Sequence, residues 1–288
     1  MTSVTTDRTP ADLTITPRDR RFGRGTQQAR WWLGGDPIAT AFYNALSITF
    51  PRGEAMFIEA VRAHRDGTPP KLEAEINAFI KQEVIHSREH VSFNNRVVDA
   101  GYDVSALEQA VIETLALTKD RPPIVKLAVT MALEHYTAMM AQELLANPAH
   151  FKGGNQESVD LWRWHAIEEI EHKGVAYDTW LHATRDWSRG KRWRIKALMM
   201  IVVTFKFWPR RIVGAKELLR QDGITGWRVN WGLAKLLLGR PGMVRRIFPA
   251  WCSYFLPSFH PWNHDDRHLI QLVDSEYEAA RLPEAIAA

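Results

Sequence analysis

A single cysteine, Cys252, in 288 residues leaves the chain unable to form an internal disulfide. That fits a reducing compartment and gives the expectation of a cytoplasmic protein. The first 30 residues hold no short apolar core of the kind that opens a secretory signal, and Thr, Asp, Arg and Pro recur through them. No stretch reaches the roughly 18 uncharged apolar residues of a membrane span. The nearest approach, Ala197 to Phe205, is nine residues long and is closed by Lys196 and Lys206. Strand signals are scarce, and there is no internal repeat or low-complexity tract. No glycine-rich nucleotide fingerprint is present, so any electrons the protein uses must come from an external donor. These absences exclude a disulfide scaffold, a membrane-spanning protein, a solenoid and a self-contained flavin or nicotinamide enzyme.

Apolar residues make up 45% of the chain and charged residues 24%, enough for an ordinary globular core. Apolar side chains recur at three- and four-residue spacing, which predicts an all-α protein. A first helical region runs from Pro37 to His64, broken near Pro51-Arg52-Gly53. Pro69-Pro70 opens a second helix that ends at Gly101, and a shorter one lies between Ser105 and Thr118. Pro122-Pro123 starts a third long helix, and a fourth spans Glu157 to Thr184. Further helices are predicted over Arg192–Val213, Ile224–Leu238 and Asp265–Leu282, with an aromatic, Pro-punctuated stretch from Phe248 to His260. The expected organisation is an exposed or disordered arm over 1–30, a ferritin-like four-helix bundle over 31–187, and a helical extension over 188–288 packed on it.

The chemistry is carried by spacing. His165, Glu169 and His172 stand at i, i+4 and i+7 in a helical stretch, so they share one face. Glu83, His86 and His90 repeat the device at i, i+3 and i+7. Two Glu-x-x-His units on separate helices, with Glu54 and Glu134 on two more, are the parts of a dinuclear carboxylate site in a four-helix bundle. Glu134 sits among Ala128, Met131, Ala132 and Leu133, where a lone carboxylate is costly unless it meets a cation or is fully hydrogen-bonded. The alternative is a core crossed by neutralised Glu–His hydrogen bonds. The expected ligands are Glu54, Glu83, His86, Glu134, His165, Glu169 and His172. His90 is read as an outer donor or an extra ligand. Glu168, i+3 from His165, competes with Glu169 for the ligand role, and Glu169 is preferred because it pairs with His172. Glu143 is read as solvated and His135 as a satisfied core or groove histidine. His260, His264, Asp265, Asp266 and His268 could form a second site, or simply a capped turn leading into a helix. Losing His165 should leave six ligands and a folded bundle, and losing Glu134 should be worse.

The pattern of Glu54, Glu83-x2-His86, Glu134 and His165-x3-Glu169-x2-His172 resembles the di-iron p-aminobenzoate N-oxygenases. They carry an added histidine one turn before the last Glu-x-x-His, the place His165 occupies. The strings Phe50-Pro51-Arg52-Gly53-Glu54, Trp164 to Lys173 and His260 to Asp266 are similar to the bacterial family of predicted metal-dependent hydrolases, over about Pro17 to Tyr277. The first resemblance implies two iron ions and oxygen-dependent oxidation of a small organic substrate, with electrons supplied from outside. The second implies hydrolysis, with a hydroxide made between two metals, manganese or zinc among them. Metal storage or sensing without catalysis is a third reading.

The charge is unevenly spread. Between Arg189 and Arg246 there are 15 Lys/Arg against Glu217 and Asp222, while the remainder has 22 basic and 31 acidic residues. Tryptophan is interleaved with these cations. Three readings compete: helices that complete the core with snorkelling cations, attachment to an anionic membrane surface, and nucleic-acid binding. The last has no accompanying motif. The second would place the protein peripherally at the inner membrane surface.

Overall fold

The computed structural model describes residues 8–286, with side chains described through 277. Among the described residues the fold is all-α, and the only extended pairing is an isolated bridge between Leu33 and Gly154. Four helices build the bundle: α2 (Phe50–Arg62), α3 (Pro70–Asp99), α5 (Pro123–Ala146) and α6 (Gln156–His172). The others are α1 (Pro37–Ser47), α4 (Ser105–Ala116), α7 (Val175–Ala183), α8 (Arg189–Gln221), α9 (Trp227–Ala234), α10 (Met243–Ser253) and α11 (Arg267–Ile286). Helix α2 packs on α3 and α5, α5 on α6, and α3 on α6.

Local chemistry sets the boundaries. Asp36 accepts from the amides of Ile38 and Ala39 and Pro37 follows it, a cap followed by a preset first turn. Asn155 caps α6 in the same way. Gly101 closes α3 at φ +92°, a left-handed position that favours glycine. In the extension α8 runs eight residues past Val213 to Gln221, and α10 enters the stretch expected to be Pro-punctuated; among the helices before it, two boundaries differ from expectation. The first break falls at Ile48–Thr49 rather than at Pro51, because proline in the opening turn of α2 costs no hydrogen bond. The fourth helix divides at Lys173–Gly174. A Cβ on Gly174 would stand 2.8 Å from Trp262 Nε1, so glycine admits the indole where the helix is interrupted.

The 1–30 segment is not an exposed arm over its described part. Ile15, Phe22 and Gln28 are buried, and backbone amides of Thr16, Arg18, Phe22 and Gly23 donate to Glu171, Glu168, Glu89 and Glu157. Its cations supply the complementary charge, with Arg18 against Glu171 at 2.8 Å and Arg24 against Glu89 at 2.6 Å. The long α8 packs on α1 and α5, burying Met200, Val203, Leu218 and Leu219, and α10 packs on α5.

One buried cation in α8 yields a pH prediction. Lys196 is only 3% exposed, donates to the Leu256 carbonyl at 3.2 Å, and lies near the Tyr254 and Phe259 rings. Burial pushes its amine down to about 8. The unfolded chain, near 10.4, then binds more protons than the folded one above pH 8, so stability rises from there to roughly pH 10.4. Below pH 8 the cost of burying the charge is fully present. Lys196→Met is expected to be more stable by about 1–2 kcal/mol at pH 7, with the gain vanishing near pH 10. Urea denaturation at the two pH values checks this.

Candidate metal centre

The seven expected ligands converge. Helix α2 brings Glu54, α3 brings Glu83 and His86, α5 brings Glu134, and α6 brings His165, Glu169 and His172; none is more than 4% exposed. They sort into two triads, Glu54–His86–His165 and Glu83–Glu169–His172, each with donor atoms within 4.8 Å of one another. Glu134 Oε2 lies 3.5 Å from His172 Nε2, on the side of the second triad. Glu83 and Glu169 reach both groups. Glu83 Oε1 is 3.3 Å from His172 Nε2 and 3.7 Å from His86 Nδ1. Glu169 stands 2.7 Å from His165 Nε2 through one oxygen and 3.6 Å from His172 Nε2 through the other.

The hydrogen bonds around the triads fix the three imidazoles in one sense. The Ser47 hydroxyl donates to Asn94 Oδ1, so it accepts from His90 Nδ1. His90 Nε2 meets His165 Nδ1 at 2.6 Å, and His165 Nε2 points into the interior, meeting Glu169 Oε1 at 2.7 Å. His86 Nε2 donates to Glu168 at 2.9 Å, leaving Nδ1 inward. Gln82 donates its amide to Glu171 and accepts through Oε1 from His172 Nδ1, leaving Nε2 inward. Three networks thus turn three ring nitrogens toward one space.

That space is unsatisfied. Glu54 Oε1, both oxygens of Glu83 and of Glu134, Glu169 Oε2, His86 Nδ1 and His172 Nε2 are buried without a hydrogen-bond partner. Each such atom costs about 1–3 kcal/mol unless something meets it. Burial raises the carboxyls of Glu54, Glu83 and Glu134 above the usual range, and Glu83 repels both Glu54 and Glu134. Burial would raise Glu169 as well, but His172 and His165 hold it well below. Burial, then the His86 charge, presses His165 down to about 4. Two divalent cations would match four carboxylates in charge and meet all three ring nitrogens, so the residues present fit such a pair. Beside His165 and Glu169 lies an opening of about 20 Å³, lined by Phe50, Thr137, Met140 and Trp162. That is room for one water molecule.

The remaining candidates fall outside the triads. His90 and Glu168 are outer partners of His165 and His86. Glu143 is buried rather than solvated, meeting Arg246 at 2.6 Å and His150 at 3.0 Å. Half a turn from Glu134 on α5 leads to another packed side, not to water. His135 is a core histidine, buried against the rings of Tyr254 and Phe259. The loop of His260 to His268 gathers no metal cluster. His260 binds Asp178, Asp266 meets Lys173 and His264, and Asp265 meets Arg267. Gln82 is not among the residues expected at the site, although it stands four residues before His86 on the ligand stripe of α3. Nor are Ser47, Arg18 and Ser87, the last of which donates to Glu54 Oε2 at 2.8 Å.

A family model described as predicted metal-dependent hydrolase matches residues 16–265. Comparison with curated proteins and comparison with solved structures produced no match.

Proposed function

The chain belongs to the predicted metal-dependent hydrolase family, and on that premise we propose that its bundle holds two divalent cations and catalyses hydrolysis of a small-molecule substrate. The observation that carries the reading is the set of unpartnered donor atoms aimed from four helices into one space. Glu54, His86 and His165 would hold one cation. Glu83, Glu169 and His172 would hold the other, with Glu134 on its flank. Bound there, such cations polarise a carbonyl or phosphoryl oxygen and acidify a water molecule. The chain's own contribution is orientation and exclusion. His90, Glu168 and Gln82 keep the ring nitrogens turned inward, and Phe50, Met140 and Trp162 restrict the approach beside His165. The space next to Glu169 accommodates a water but not a substrate.

A second reading is oxidation by molecular oxygen at two irons, with an external electron donor. It draws support from His165, the third imidazole, held ready one turn before Glu169-x2-His172. Metal analysis separates the two when combined with turnover. Protein loaded with zinc or manganese is expected to hydrolyse members of an ester, amide and phosphoester panel in oxygen-free buffer. If only the iron form turns over, and consumes oxygen as it does so, the hydrolytic reading fails.

The outer partners give a further prediction. Glu168→Ala leaves His86 Nε2 without its acceptor and is expected to weaken metal binding about 10- to 100-fold while helicity is kept. Glu168→Gln, which still offers an oxygen, should lose less. Competition with a chromophoric chelator measures both.

A further inference from the structure

The basic, tryptophan-rich extension does more than complete the core. Successive residues of an α-helix are 100° apart. On α8 that spacing sets Lys191, Arg194, Leu198, Ile201, Val202, Phe205, Val213 and Lys216 along one face, and each of them is exposed. The opposite face carries the buried Lys196, Met200, Val203, Gly214 and Leu218. The outward stripe is apolar in the middle and cationic at both ends, and Phe205 is 74% exposed. It covers about 38 Å of helix at 1.5 Å per residue. Helix α10 reaches α8 through Trp251. Trp251 Nε1 donates to Thr204 Oγ1 at 3.0 Å, and the exposed Phe248 stacks on Trp251. Farther along, Trp227 and Trp231 stand one turn apart on α9 at 71% and 67% exposure. Lys191, Arg194, Lys206, Lys216, Arg228, Lys235 and Arg240 have no acidic partner within ion-pair distance among the described residues.

We propose that this face of α8, with Phe248 beside it, docks the protein in the plane of an anionic lipid bilayer. No helix of the described residues is long and apolar enough to cross a membrane. The pattern is instead that of a helix lying flat, with apolar side chains entering the acyl boundary and Lys/Arg reaching phosphate headgroups. Charge decides the partner. An apolar protein surface would meet the stripe equally well, but the unpaired cations at its ends and flanks require a dense anionic surface. The proposal is independent of the metal reading, since none of these residues touches the centre.

The test is co-sedimentation of the full-length protein with vesicles of phosphatidylcholine alone and of phosphatidylcholine mixed with phosphatidylglycerol. Binding is expected only to the mixed vesicles and should fall several-fold as salt rises from about 0.1 M to about 1 M, where the screening length shrinks from roughly 10 to 3 Å. The double variant Leu198→Ser/Phe205→Ser should bind at least about tenfold less. Lys191→Glu/Lys216→Glu should lose the preference for anionic lipid. All these side chains are exposed, so circular dichroism and metal content should match the parent protein. Equal binding to both vesicle types, no binding to either, or unchanged binding by the Leu198/Phe205 variant would overturn the proposal. So would a stable dimer in sedimentation velocity that Phe205→Ser dissociates, because a second copy would then occupy the face.

Discussion

Glu169→Ala is expected to carry at most one metal ion per chain and to lose detectable turnover, the largest effect of any single substitution in the centre. The reason is reach. Glu169 places one oxygen 2.7 Å from His165 of the first triad and the other 3.6 Å from His172 of the second. Removing it withdraws a donor from both positions and leaves His86, His165 and His172 facing a space poorer in negative charge. The expected loss exceeds the roughly 10- to 100-fold cost of deleting an outer partner. Two controls grade the result. His165→Ala keeps Glu83, Glu169 and His172 together and should retain one cation. Glu134→Ala removes a carboxylate whose nearest imidazole is His172 alone, so it should be milder than Glu169→Ala. The sequence reading ranks the loss of Glu134 above that of His165; the distances place Glu83 and Glu169, rather than Glu134, between the two triads. Elemental analysis of the three purified variants, with circular dichroism to verify folding, decides the order. Two ions per chain in Glu169→Ala would refute the assignment.

The triads were readable because helical periodicity is a local property. Glu83 and His86, or Glu169 and His172, share a face whatever the rest of the fold does, and four buried carboxylates in apolar surroundings imply a common counter-charge. What the sequence hid depends on contacts between distant segments. Arg18 and Thr16 are polar residues in a polar arm, and nothing near them indicates that Glu168 and Glu171, some 150 positions away, will bind their amides. The break after His172 is equally non-local, since Gly174 yields to Trp262. Glu143 looked solvated because phase relative to Glu134 separates one helix face from another. It cannot say whether Arg246 and His150 wait on the second face. The extension illustrates the same limit. Core completion and surface attachment need not compete, because α8 buries Met200 and Leu218 on one side and exposes Leu198 and Phe205 on the other.

Removing the metal is expected to lower the unfolding midpoint by about 5–10 °C, with recovery on adding back two equivalents per chain. A ligand at a hundredfold excess over its Kd stabilises by about 2.7 kcal/mol, and each kcal/mol shifts a chain of this size class by about 2–4 °C. The pH dependence supplies a sharper check. In the metal-free fold, burial raises Glu54, Glu83 and Glu134, so the folded chain holds protons that the unfolded chain releases above about pH 4.3. With more protons bound when folded, stability falls as pH rises from there. Glu169, held low by His172 and His165, is ionised in both states above that pH and adds no slope there, while His165 and His90, held low by burial, oppose the trend only up to about pH 6.5. Cations reverse the balance, because they bind the deprotonated ligands and release the protons. The midpoint difference between loaded and chelated protein should therefore widen from pH 5.5 to pH 8, as differential scanning calorimetry can show. A difference that stays constant across that range would mean that the buried carboxylates are not what the metal binds.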